Sequence, residues 1–100
     1  MRIGTTPTHS FKLPVDEDFV KSIEITYSQN DKVILQKYKH DCTITGKKLF
    51  VRLSQEDTFQ FKSGVNVEIQ VRVLDRDNEV HGCDVVVVSC KKCLSTEVLI

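Results

Sequence analysis

The most reactive side chains in this sequence are Cys90 and Cys93, spaced as Cys-Lys-Lys-Cys. Two thiols at that spacing can share a metal ion or form a redox pair. A structural zinc site needs four nitrogen or sulfur ligands, normally from two such knuckles. Only one knuckle is present, so Cys42, Cys83 or His81 would have to complete the set across the fold. A redox pair needs its first thiolate at a helix N-terminus, where the backbone dipole lowers the thiol pKa. The seven residues after Cys93 offer no such helix. The cysteines therefore read as reduced structural thiols without a metal, as expected of a chain made in the cytosol.

Asp75, Asp77 and Glu79 place carboxylates at alternate positions, as the start of a calcium loop does. Such a loop also requires Gly at its sixth position and Glu at its twelfth. Val80 and Val86 stand there and offer no oxygen ligand. The segment reads as a solvated hairpin tip. His9, His40 and His81 belong to no nucleophile elbow, and the 4 glycines form no phosphate loop. The expectation is a protein without catalytic residues or cofactor.

Charge excludes further classes. Over 100 residues, 14 basic groups balance 14 acidic ones, and Lys37, Lys39, Lys47, Lys48, Lys91 and Lys92 are interspersed with acids. A neutral chain exerts no long-range pull on nucleic acid or anionic lipid. The longest apolar run is Val85–Val88, far below a membrane span. No apolar run of signal-peptide length opens the chain. Neither nucleic acid nor membrane is an expected partner.

The elements that must carry these residues follow from composition and period. There are 14 Val, 7 Ile and 8 Thr but no Ala, a set stiff at χ1 and suited to pleated sheet. Ile23, Ile25 and Tyr27 alternate with polar residues up to Asn30-Asp31, where a hairpin turns back through Val33 and Leu35. Phe11 with Leu13, Cys42 with Ile44, and Leu49, Val51 and Leu53 repeat the pattern. Val65, Val67, Ile69, Val71 and Val73 give its longest run. Ser54, with Asp57 three residues on, predicts a capped helical turn near residues 55–61, with Phe59 or Phe61 plugging the end.

The expected fold is all-β, an antiparallel immunoglobulin-like sandwich of about seven strands. It occupies residues 1–100 as one domain, with 1–8 and 94–100 as loose or partner-docked ends. Ile23, Ile25, Leu49, Val51, Leu53, Val67, Ile69 and Val71 should form the core.

One strand departs from alternation. Within Val80–Cys90, four consecutive valines place apolar side chains on both faces. Two arrangements account for this: a bulge at Gly82-Cys83 that switches the facing, or a partner covering the outer face. The tail carries Leu94, Val98, Leu99 and Ile100, more aliphatics than a loose end needs. Val85, Val86, Val87, Val88, Leu94, Val98, Leu99 and Ile100 are thus the candidate interaction surface.

Four stretches carry a family resemblance: Gly4–Pro14, Ile23–Lys32, Leu53–Phe59 and Val67–Val73. Across them the chain resembles small structural proteins encoded among the virion genes of prophages in Gram-positive bacteria. It is also similar to the immunoglobulin-like N-terminal module of phage baseplate upper proteins. The resemblance implies a non-enzymatic role through protein–protein contacts in a tail or baseplate. Its partners would be other virion proteins or copies of itself, after synthesis in the bacterial cytoplasm. The alternative is a ligand-binding sandwich for carbohydrate or a metal ion. The absence of Trp, with Tyr27 and Tyr38 the only tyrosines, counts against carbohydrate.

Overall fold

Alternating apolar and polar residues give two-faced strands, and such strands are stable only when their apolar faces meet. The computed structural model describes residues 1–100. Its strands are β1 (Thr8–Lys12), β2 (Val20–Gln29), β3 (Lys32–Tyr38), β4 (Cys42–Thr45), β5 (Lys48–Arg52), β6 (Val67–Asp75), β7 (Val80–Gly82) and β8 (Val86–Val88). They form two antiparallel sheets, β1-β5-β4 and β3-β2-β6-β7, with β8 also paired to β6. This is the expected all-β sandwich.

Eight segments replace about seven because the return strand over residues 80–90 is broken. Taken as one strand, β7 and β8 complete an immunoglobulin-like order. The larger sheet then corresponds to strands C′-C-F-G, and β4-β5-β1 to D-E-B. The position of strand A, beside β1, is open. The residues leading into β1 pair elsewhere: Arg2 lies parallel to Lys91. Ile3 N–H donates to the Lys91 carbonyl (3.0 Å), and Lys91 N–H to that of Met1 (2.9 Å). Gly4 N–H donates to Thr58 Oγ1 (2.9 Å). The opening residues, expected from sequence to be loose, are thereby tied to the fold by backbone groups, which leave no apolar pattern to read.

All eight expected core residues are buried, joined by Leu13, Val20, Tyr27, Phe61, Val73 and Cys90. The hairpin turns at Asn30 (φ +49°) and Asp31 (φ +62°). Positive φ at both positions matches the twist of the flanking strands. The helix α1 (Gln55–Phe59) sits in the β5–β6 connection, between the sheets' edges, with the expected cap. Ser54 Oγ accepts from Asp57 N–H (3.0 Å), and Asp57 Oδ2 accepts from Ser54 N–H (2.9 Å). Lys37 from β3 reaches the same carboxylate (2.9 Å). Of the two candidate plugs, Phe61 is the buried one and stacks edge-on against Tyr27 at 5.9 Å.

Candidate interaction surface

Register decides how the four valines face. On β7, Gly82 lies opposite Arg72, His81 opposite Val73 and Val80 opposite Leu74. On β8, Val86 lies opposite Ile69, Val87 opposite Glu68 and Val88 opposite Val67. Between these ladders the returning strand holds one residue more than β6, in the stretch Cys83–Val85. That extra residue is a bulge, and it inverts the parity of everything after it.

Directly opposed residues share a face of the sheet. Val86 and Val88, opposite buried Ile69 and Val67, therefore face the core side. Val87, opposite exposed Glu68, faces outward. Val85 lies over the outer face with Glu24, Thr26, Ser28, Glu68, Gln70 and Arg72. Because β8 is an edge strand, inward facing does not hide it. Val86 remains 43% exposed and Val87 57%, while Val88 is half-buried against the core.

The tail forms the second part of the surface. Leu94 is 93% exposed and Leu99 80%. Arg2 Nη1 donates to the Lys92 carbonyl (2.8 Å). The Leu99 backbone and Gln55 side chain exchange two bonds, at 2.9 and 2.8 Å. The tail's hydrogen bonds thus run to the N-terminal segment and α1, not to β8. The eight candidate residues divide into a strand edge and an anchored extended tail.

Three polar groups correct the sequence reading, which put Asp75 in a solvated hairpin tip, weighed His9 only for catalysis and passed over Gln29, although strand parity carries the signal for each. His9 continues the inward positions of β1, Gln29 those of β2 and Asp75 those of β6. Gln29 Nε2 donates to the carbonyls of Lys62 (2.8 Å) and Val65 (3.0 Å), and its Oε1 accepts from Lys62 N–H (2.8 Å). His9 Nδ1 meets Tyr27 Oη at 2.8 Å. Burial, reinforced by the nearby terminal ammonium, lowers the His9 pKa. Burial chiefly raises that of Tyr27. The pair is neutral on both sides.

Asp75 clamps the β6–β7 turn. Its Oδ1 accepts from the N–H groups of Asp77 (2.9 Å) and Glu79 (3.0 Å), and its Oδ2 lies 2.8 Å from His81 Nε2. The His81 hydrogen bond, with those two amides, holds the carboxyl below its ordinary value against the opposing effect of burial. Ligand atoms of Asp75, Glu79 and His81 lie within 4.8 Å of one another. Three of the four acceptor positions on Asp75 are already taken, which makes the cluster a turn clamp. No third metal-ligating side chain gathers around Cys90 and Cys93.

The clamp has a testable pH consequence. A carboxyl whose folded pKa is depressed adds stability above its ordinary pKa, and that stability is lost as pH falls through the lowered value. Asp75→Asn should therefore melt below the wild type at pH 7 and lose less stability on acidification below about pH 5. Melting temperature across that range measures both effects. Parallel acid profiles would exclude the clamp.

Burial also pushes the Cys42 thiol up to about 11, and moves Cys83 and Cys90 in the same direction. Such thiols stay protonated at neutral pH and are poor nucleophiles. No protein-family model, curated protein or solved structure matches this chain.

Proposed function

We propose that this chain is a non-enzymatic structural module of a phage tail or baseplate, acting by protein–protein contact through the β8 edge and the tail. The observation that carries the reading is the composition of that edge. Val85, Val86 and Val87 are exposed on a strand with no outer partner. Edge strands are ordinarily blunted by charge. The opposite edge follows that rule, since β3 carries Lys32 and Lys37. On β8 every residue is valine. Free backbone groups beside apolar side chains suit strand addition, where the ladder supplies affinity and the side chains specificity. The phage assignment is supported by the resemblance of the four quoted stretches.

The facing of β8 supplies the test. Val87→Lys places a charge on the outer face and should remove the contact made through β8, weakening association while leaving the melting temperature nearly unchanged. Val88→Lys directs an unpaired ammonium toward the core and should unfold the domain, because a buried charge without a partner is costly. Sedimentation and melting of both variants decide the matter. Association as strong in Val87→Lys as in the wild type would overturn β8 as the docking edge.

A further inference from the structure

We infer that the free edge of β1 receives residues Thr96–Ile100 from a second copy of this chain, as an added antiparallel strand. This rests on the tail as a docking element and names what it docks onto. The edge is open and regular. Leu53 N–H bonds to the Pro7 carbonyl (2.9 Å) and Leu13 N–H to that of Lys47 (2.7 Å). Hydrogen-bonded positions alternate along an antiparallel pair. Pro7, His9, Phe11 and Leu13 therefore turn their backbone groups toward β5, while Thr8, Ser10 and Lys12 turn theirs outward. The β1–β5 register runs without a shift. Pro7 and Pro14 flank the edge and confine pairing to the residues between them.

The inward side chains of this edge are incompletely covered. His9 and Phe11 are half-buried, whereas Val51 and Leu49 opposite them are fully buried. The tail supplies matching cover, with Leu99 exchanging its two bonds to the Gln55 side chain for backbone bonds to Ser10. Val98 and Ile100 fall on one face of an extended segment, with Glu97 and Leu99 on the other. Setting Glu97 opposite Lys12 pairs opposite charges and puts Val98 against Phe11, Ile100 against His9 and Leu99 against Ser10. A slip of one residue would set Glu97 over Phe11, so parity selects the register.

A tail cannot reach its own β1 in this way. Lys92 is held by Arg2, six residues before β1 opens at Thr8. Antiparallel docking requires Thr96 at the far end, beyond Lys12. The four steps from Lys92 to Thr96 reach at most about 14 Å, about what β1 itself spans, which leaves nothing for the distance from Arg2 to Thr8 or for the reversal of direction. A second copy meets no such limit. Each chain offers both a tail and an edge, so the contact is head-to-tail and builds a ring or an open chain.

Sedimentation of the full-length protein tests this. Ser10→Pro removes an outward N–H without touching the ladder to β5. Val98→Asp with Ile100→Asp alters only the tail. Carried on the Val87→Lys background, which removes the β8 contact, each variant should sediment as a monomer where Val87→Lys alone forms larger species. An equimolar mixture of the two should form dimers and nothing larger, because it contains one working tail and one working edge. A monomeric wild type at high concentration overturns the inference. So does association that survives Ser10→Pro on that background, or a mixture that stays monomeric. The tail double variant provides the readout should Ser10→Pro fail to fold. Association abolished by Val87→Lys but not by Ser10→Pro would keep the β8 reading and reject this one; the reverse would reject β8.

Discussion

Replacing Tyr27 by alanine is expected to lower stability by about 4 kcal/mol, against a total of roughly 5–15 kcal/mol for a domain of this kind. Tyr27 is fully buried and touches both sheets through its partners. Its hydroxyl holds His9 of β1, and its ring takes the edge of Phe61 from the β5–β6 connection. Truncation removes the ring, leaves a cavity and strips His9 of its hydrogen-bond partner. Tyr27→Phe keeps the ring and removes only the hydroxyl, for a loss of about 1 kcal/mol. Denaturant midpoints of the two variants separate packing from hydrogen bonding. The phenol also predicts alkaline behaviour. Its folded pKa is raised above the ordinary 10.0. Its contribution is therefore complete below pH 10 and lost as pH rises further, so Tyr27→Phe should weaken less steeply there. Equal losses from Ala and Phe would show that packing around Tyr27 contributes little.

Gln29→Ala should cost about 3 kcal/mol, since it leaves the Lys62 N–H and the Lys62 and Val65 carbonyls without their partner at a buried site. Those three bonds fasten the end of β2 to the loop after α1. Gln29→Glu sharpens the test because it keeps the shape and reverses the donor. At neutral pH a carboxylate would face two carbonyl oxygens away from water, which raises its pKa. A group with a raised folded pKa stabilises below its unfolded pKa and loses that contribution as pH rises. Gln29→Glu should therefore melt far below the wild type at pH 7 and recover part of the difference on acidification, opposite to the Asp75-dependent trend. A Gln29→Glu variant as stable as the wild type at pH 7 would show that the amide is not needed as a donor.

The sandwich was legible because burial imposes a period of two. Ile23–Tyr27 and Val67–Val73 write that period without interruption, so their faces, hairpins and core membership follow from spacing alone. The α1 cap was legible for an equally local reason, since Ser54 and Asp57 satisfy each other's backbone groups within one turn. Gln29 and Asp75 occupy inward positions of the same period, yet the partners of Gln29 lie in a loop whose path no periodicity records, and those of Asp75 meet it only once the β6–β7 turn has closed.

Sequence by itself determined the two-faced strands, the Asn30-Asp31 turn and the capped connection. Only the tertiary structure decided the facing of Val85–Val88, because one extra residue between Cys83 and Val85 inverts parity and four identical side chains conceal where it falls. It alone decided that Met1–Ile3 would pair with the chain beyond β8 and leave the edge of β1 open. Backbone hydrogen bonds made that choice, and backbone groups are the same at every residue except proline.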